Sequence, residues 1–272
     1  MSARAPAVFV SHGSPTVALE RDEYTEALAA LGRNSAPRAV AVVSAHWTTR
    51  GPVAVTASPR HRLIYDFGGF PAELYRLTYP APGDPALADS IAARLGAAGI
   101  PAALEPVRGL DHGAWIPLRL AWPGAGIPVV QVSLPAVAPD ELFRMGRALR
   151  PLRDEGVLLL GSGGLVHNLM LLNWNAKDAP AQAWAAEFDA WIADHLRSGD
   201  VATVLDYQDR APHAARAAPT TEHIDPLFVV LGAAHESERP FPIFEGFHYG
   251  SLGMRSIELR EAARTQGQGE QP

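Results

Sequence analysis

Two apolar runs of similar pattern, AVFVSH at residues 7–12 and AVAVVSAH at residues 39–46, each end in a histidine. Neither run alternates polar with apolar residues, which is typical of strands covered on both faces of a sheet. Three more runs of this kind are predicted as strands at 53–57, 128–133 and 157–161. The first two predicted strands are therefore each followed by a histidine, His12 and His46, at the carboxyl end.

Helical patterns lie between and after these strands. Helices are predicted at 23–31, 85–98, 139–149, 180–196 and 221–234. The alternation predicts an α/β fold, a single domain whose central, largely parallel sheet is flanked by helices. In such sheets ligands bind beyond the carboxyl ends of the strands, so the active site is expected there. The domain is predicted to span residues 1–264, and the polar tail 265–272 is expected to be disordered.

The composition narrows the class of protein. The chain has 272 residues, is 47% hydrophobic and carries a formal net charge of -6. Lys177 is its single lysine and the arginines are scattered, so no basic tract exists for nucleic acid or an anionic membrane. No run is apolar for long enough to span a bilayer or to form a signal peptide. We expect a cytoplasmic protein, monomeric or a small homo-oligomer.

The absence of cysteine restricts any metal site. Thiolate zinc sites, iron–sulfur clusters and disulfides are excluded, because the chain contains no cysteine. A metal would be held by histidine, aspartate or glutamate. Neutral imidazole is the commonest metal ligand and also a proton carrier near neutral pH.

Three histidines are expected at one edge of the sheet. His12 and His46 follow the first two strands, and His167 lies just beyond the strand ending at 161. A fourth, His223, stands at the mouth of a predicted helix in PTTEHIDPL. A mononuclear metal enzyme is the leading hypothesis, against the alternative that each histidine is a structural residue.

His112 has a different context, in GLDHGAWIPL. A histidine between an acid and a glycine, close to an aromatic residue, suits a proton-transfer group in a semi-apolar pocket. The alternative is a loop histidine bonded to Asp111.

Five sequence blocks carry a resemblance that extends over most of the chain. They are SHGSPTVAL at 11–19, VVSAHW at 42–47, DHGAWIPL at 111–118, GSGGLVHNL at 161–169 and FHYGSLGMRS at 247–256. In this order they resemble the DODA-type extradiol aromatic ring-opening dioxygenases of the LigB-like class III superfamily. The resemblance implies cleavage of a catechol ring by O2 at a non-haem metal, giving a muconic semialdehyde. A DOPA-like catechol is one candidate substrate.

The resemblance also implies roles for the histidines. His12, His46 and His223 match metal positions, His167 matches a histidine that is either a ligand or the catalytic base, and His112 matches a catalytic acid/base group. Similar protocatechuate-type enzymes have a glutamate as third ligand, whereas this chain has His223 with Glu222 beside it. The activity of the family requires Fe(II), while an all-histidine site also suits zinc in a purified sample.

Aromatic residues near these blocks are candidates to line the substrate pocket. They are Trp47, Trp115, Phe247, His248 and Tyr249. The alternative for each of them is ordinary core packing. A carboxylate on the substrate would need a basic partner, for which Arg62, Arg108 and Arg255 are candidates.

Two other functions remain as alternatives. A zinc hydrolase would use the same histidines, since zinc-bound water attacks esters or amides near neutral pH. A non-catalytic binding module of the same fold would be marked by loss of the ligands. All the ligand positions are histidine here, so this alternative ranks last.

Overall fold

The structure is a computed structural model, and it describes residues 4–262. The strands are β1 (Ala7–Ser11), β2 (Ala39–Thr49), β3 (Val53–Thr56), β4 (Ala102–Glu105), β5 (Val129–Pro135), β6 (Val157–Gly163), β7 (Glu238–Phe244), β8 (Phe247–His248), β9 (Leu252–Gly253) and β10 (Ser256–Glu261). The helices are α1 (Glu23–Asn34), α2 (Pro85–Ala97), α3 (His112–Ala121), α4 (Pro139–Leu149), α5 (Pro151–Asp154), α6 (Ala183–Ser198), α7 (Val201–Leu205), α8 (Tyr207–Arg210), α9 (Ala214–Ala217) and α10 (Asp225–Gly232). The tail predicted at 265–272 lies outside the described residues.

An eight-stranded sheet in the order β4-β3-β5-β2-β6-β1-β10-β7 organises the fold. Its four central strands, β5, β2, β6 and β1, pair in parallel with one another. At one edge β3 pairs antiparallel with β5 and parallel with β4, and at the other β10 and β7 are antiparallel. The predicted α/β fold with a largely parallel sheet is confirmed.

The central strands are buried on both faces, as their continuous apolar sequences predict. Along β1, Ala7 and Phe9 join one core while Val8 and Val10 join the other. The first core is covered by α2, α4, α6 and α10, and the second by α1 and α3. Because the four central strands are parallel, their carboxyl ends meet at one edge of the sheet.

Several elements differ from the sequence-based expectation. β7 has the sequence ERPFPIF, and its two prolines weaken the strand signal because proline is confined to edge strands. Helix α10 begins at Asp225 rather than at 221, and α6 begins at Ala183 rather than at 180. Helix α3 was not predicted, although Asp111 caps it by accepting a hydrogen bond from Ala114 N at 3.1 Å. Within residues 4–262, no helix is long and apolar enough to cross a membrane.

A buried ion pair lies at the end of the sheet opposite the histidines. Arg153, which is 1% exposed, donates to both carboxylate oxygens of Glu238 at 2.6 Å. It also donates to the carbonyls of Ala5 at 3.0 Å and Ala233 at 2.7 Å. The guanidinium therefore joins the chain before β1, the end of α10 and the start of β7.

We expect Arg153→Met to lower the free energy of unfolding by about 3–5 kcal/mol, because the Glu238 carboxylate is left buried without its partner. Arg197→Met is the control, since the Arg197–Asp194 pair is 70% exposed on both sides and should contribute less than about 1 kcal/mol. Urea unfolding of the two variants measures the difference. Equal stabilities would contradict the prediction.

Candidate functional site

The ends of β1 and β2 bring two histidines together. His12 follows β1, where its backbone N–H donates to Gly163 O at 3.0 Å. His46 lies in β2 where the pairing with β5 is interrupted between Val43 and Thr48. An interruption of this kind redirects a side chain. The His12 and His46 Nε2 atoms are 3.1 Å apart.

His223 reaches the same point from the segment before α10. Its carbonyl accepts a hydrogen bond from Gly164 N at 2.8 Å. A Cβ atom on Gly163 would lie 2.0 Å from that carbonyl oxygen, so the end of β6 approaches His223 only because residue 163 is glycine. The ring centroids of His223 and His12 are 5.2 Å apart, and those of His223 and His46 are 5.1 Å apart.

The three imidazoles are oriented by partners on their outer nitrogens. His12 Nδ1 is 3.1 Å from Ser162 Oγ, whose own hydrogen is donated to Gly113 O, so His12 Nδ1 is the donor. His223 Nδ1 donates to Glu222 Oε1 at 3.1 Å. His46 Nδ1 faces Asp66 Oδ2 at 3.5 Å. Each Nε2 is therefore left with its lone pair, which is how metal-binding histidines are usually held.

These residues fit a metal ion. One ring nitrogen from each of His12, His46 and His223 lies within 4.8 Å of the others. Two nitrogens bound to one metal at about 2.1 Å lie about 3.0–3.4 Å apart, which agrees with the His12–His46 spacing. His223 Nε2 is buried and has no hydrogen-bond partner. A cation among the three would satisfy lone pairs that otherwise face one another.

Burial keeps the imidazoles in the neutral form that a metal requires. Burial, with the neighbouring histidines, lowers the pKa of His12 well below its ordinary value. Burial and His112 lower the pKa of His46 to about 2. Burial also lowers the pKa of His223, although Glu222 opposes the shift. The cluster is therefore unprotonated at neutral pH.

His112 adjoins this cluster and bonds to Asp66, not to the neighbouring Asp111 of the alternative interpretation. Its Nδ1 donates to Asp66 Oδ1 at 2.9 Å, and its backbone N–H donates to the same oxygen at 3.0 Å. Asp111, the partner in the alternative interpretation of His112 as a structural loop residue, instead caps α3 and accepts from Ser44 Oγ at 2.7 Å. Burial raises the pKa of Asp66, but the bond to His112 outweighs it and the pKa falls to about 2. His112 Nε2 is left as a proton acceptor.

His167 lies flat against His223. The two rings are stacked with their centroids 3.4 Å apart and an interplanar angle of 8°. Burial and His223 lower the pKa of His167 to about 3. His167 is not in the group of three whose ring nitrogens converge. His167 therefore lies next to the metal position by its contact with the His223 ring, and not as one of the converging nitrogens.

Gly113 explains how α3 approaches so closely. A Cβ atom there would lie 2.5 Å from Ser44 Oγ, 2.9 Å from His46 Cδ2 and 3.2 Å from His12 Nδ1. Any larger residue would push against both histidines. The first turn of α3 can therefore bring His112 against His46, with ring centroids 4.1 Å apart.

A cavity of about 470 Å³ opens over the histidines. His12, His46, His112, His167 and His223 all line it. Its aromatic lining consists of Phe67, Phe70 and Trp174.

None of the five residues that the sequence suggested for the substrate pocket belongs to this lining. These residues are Trp47, Trp115, Phe247, His248 and Tyr249. Trp115 is fully buried and donates to Ile64 O at 3.1 Å, and Trp47 packs under Arg108. Tyr249 reaches the cavity wall only indirectly, with its ring centroid 5.1 Å from that of Trp174. Phe247 and His248 form the short strand β8 and pair with β9. Local sequence indicates that these side chains have rings and lie near a motif, but it does not indicate which side chains face the cavity.

Sequence reasoning missed Asp66, Phe67 and Phe70. They lie in YDFGGF at 65–70, within a segment between β3 and α2 that has only one short 3-10 helix, Leu74–Arg76. Segments of this length without regular structure are usually functional in compact domains. An acid flanked by aromatic residues in such a segment was the available signal.

Comparisons with known proteins identify the family. Residues 6–254 match the family model described as catalytic LigB subunit of aromatic ring-opening dioxygenase. The chain is 42% identical to 4,5-DOPA dioxygenase extradiol of Escherichia coli (strain K12), over 95% of this chain and 96% of the relative. It is 40% identical to 4,5-DOPA dioxygenase extradiol of Portulaca grandiflora, over 92% and 94% of the two chains.

A solved structure has the same fold. The crystal structure of uncharacterized protein JW3007 from Escherichia coli K12 matches with a TM-score of 0.80 and 37% identity, covering 94% of this chain and 99% of that one. Members of the family are metal-dependent, and the converging histidines form a group that could hold an ion. The chain therefore belongs to the LigB family of catalytic subunits of aromatic ring-opening dioxygenases.

Proposed function

We propose that this chain cleaves the ring of a catechol with O2 in the extradiol manner, using Fe(II) held by His12, His46 and His223. The observation that carries the proposal is the convergence of three unprotonated Nε2 atoms at the base of a cavity that is also lined by His112 and His167. Relatives named 4,5-DOPA dioxygenase extradiol support a catechol as the substrate class.

Iron, when bound, supplies the redox chemistry that joins catechol and O2, which zinc does not. Three neutral ligands leave the charge of a divalent ion uncompensated by its ligands, so a catecholate anion is attracted to it. Glu222 and Asp66 lie behind His223 and His46 and hold their rings. Outer partners of this kind orient ligand rings and increase their basicity.

His112 is suited to accept the first catechol proton. The Asp66 carboxylate accepts from Nδ1–H, so the lone pair of Nε2 is free toward the cavity. A proton taken by Nε2 is stabilised by the Asp66 negative charge on the other side of the ring. His112 can later return this proton to an oxygen as the ring opens.

His167 is suited to a second proton transfer. It lines the cavity, and burial together with His223 lowers its pKa to about 3, so the ring is neutral. Its stacking on His223 fixes the plane of the ring without using either nitrogen. Of the two roles that the sequence left open for His167, the geometry favours the proton carrier over the ligand.

The alternative of a zinc hydrolase is not favoured. The matching family model and the relatives are described by ring opening and by extradiol dioxygenation. Phe67, Phe70 and Trp174 in the cavity also suit a flat aromatic substrate, because aromatic rings pack edge to face and offset against one another.

The function is tested by anaerobic reconstitution with Fe(II), followed by addition of a catechol and then air. The panel includes L-DOPA, caffeate, protocatechuate and dopamine. A yellow ring-cleavage product and consumption of O2 are expected with at least one of them. No product across the panel, with iron bound at one ion per chain, would sink the proposal; turnover of an ester with Zn²⁺ and without O2 would favour the hydrolase.

The ligand set is tested by His223→Ala. We expect loss of bound metal, because only two of three converging nitrogens remain. His213→Ala is the matched control, since His213 is exposed and paired with Glu187. Elemental analysis after dialysis measures the metal content. Full stoichiometry in His223→Ala would remove it from the ligand set.

The proton carriers are tested by His112→Gln and His167→Gln. Both variants should keep one metal per chain, because neither ring belongs to the converging three. The value of kcat should fall by about 10²–10⁴-fold, the usual contribution of a general acid or base. A variant of His167 that loses its metal would show that this residue is a ligand instead.

A further inference from the structure

The mouth of the cavity is apolar. We define the rim as the side chains of Phe67, Phe70, Leu169, Met170 and Trp174, which all line the cavity. Three of them are large and well exposed, Met170 at 91% and both Leu169 and Trp174 at 47%. A group of exposed apolar side chains at the mouth of a cavity usually marks a surface that contacts a ligand.

The charges around the cavity have one sign. Among residues 4–262, no lysine or arginine lines it, and its charged lining residues are Asp66 and Glu222. Both groups accept a hydrogen bond from a histidine of the site, Glu222 from His223 at 3.1 Å and Asp66 from His112 at 2.9 Å. An anionic group entering the cavity away from the metal therefore meets two carboxylates and an apolar rim, and none of the described lining residues is a lysine or arginine. Besides the histidines, the neutral polar residues of the lining are Ser14, Asn168 and Thr220.

The nearest cations in sequence are engaged elsewhere. The Arg108 guanidinium stacks over Trp47 at 4.7 Å and lies 3.4 Å from Asp111. Lys177 Nζ is paired with Glu20 at 2.6 Å and with Asp22 at 2.5 Å.

Two other arginines are likewise unable to serve the cavity. The Arg216 guanidinium packs over the ring of Trp184 at 4.5 Å. Arg255 is bound to Asp189 and Glu245. Of the three arginines that the sequence suggested as carboxylate partners, Arg62, Arg108 and Arg255, none lines the cavity.

We propose that the rim receives the substituent of the catechol ring and selects uncharged or cationic substituents over carboxylates. This inference rests on the proposed function, because it concerns the substrate of the same site. A carboxylate at the rim would lose water without gaining a hydrogen-bond donor from a cationic side chain, which is costly. An ammonium group would be attracted by Asp66 and Glu222 and by the faces of the aromatic rim residues.

Four catechols that differ chiefly in the charge of one short substituent provide the test. They are 4-ethylcatechol, which is neutral; dopamine, a cation; hydrocaffeate, an anion; and L-DOPA, a zwitterion. Anaerobic titration of the iron-loaded protein gives Kd without turnover, and kcat/KM is then measured in air. Hydrocaffeate should bind about tenfold or more weakly than 4-ethylcatechol, and dopamine should bind at least as tightly as 4-ethylcatechol. L-DOPA should fall between dopamine and hydrocaffeate.

A charge placed on the rim should reverse part of this preference. Met170→Arg adds a cation at the most exposed rim position, and Met170→Gln is the matched neutral control. Hydrocaffeate should bind Met170→Arg about three- to fivefold more tightly than Met170→Gln, as expected for an exposed charge pair. The affinity for 4-ethylcatechol, which has no charged substituent, should differ between the two variants by less than the affinity for hydrocaffeate does.

The outcomes separate the two proposals. Hydrocaffeate binding as tightly as 4-ethylcatechol would overturn the selectivity, while cleavage of 4-ethylcatechol would leave the dioxygenase function intact. Identical affinities of Met170→Arg and Met170→Gln for hydrocaffeate would overturn the assignment of the substituent to the rim. If none of the four catechols bound or reacted, the proposed function itself would fail, and this inference with it.

Discussion

The site depends on the burial of three imidazoles with unprotonated nitrogens directed at one another. Such an arrangement is unfavourable by itself, because lone pairs repel and a buried polar atom such as His223 Nε2 has no partner. The surrounding fold supplies the compensation. Ser162, Asp66 and Glu222 hold the outer nitrogens, and glycines at 113 and 163 remove the side chains that would keep the elements apart.

The central part of the fold was predictable because its strands are buried on both faces. Continuous apolar runs as short as those of β1 and β2 fit a fully covered strand better than a surface helix or a loop, and their ends locate His12 and His46. The outer part was not predictable. β7 contains two prolines, and β10 is a short antiparallel strand whose place beside β1 depends on tertiary pairing rather than on its own sequence. The signals at a sheet edge are weak because only part of such a strand is buried.

In the candidate site, too, some residues could be predicted from the sequence and others could not. The three histidines whose nitrogens converge were expected from strand ends and from the resemblance to a family. The aromatic wall was not, since Phe67 and Phe70 come from a segment without regular structure, and the orientation of a side chain there is decided by distant contacts. The partner of His112 was missed for the same reason. Asp111 is adjacent in sequence but is used as a helix cap, while Asp66 is brought in by the fold.

The wide spacing of the three histidines along the chain has a consequence for assembly. His12 and His223 come from opposite ends of the chain, and each is held by a different element of the sheet or its helices. No short stretch of the unfolded chain can imitate this ligand set, so an ion that binds here binds the native state. Loading at a hundred times the dissociation constant would then add about 2.7 kcal/mol to native stability. Metal supply would then change the stability of the folded protein as well as its readiness to react.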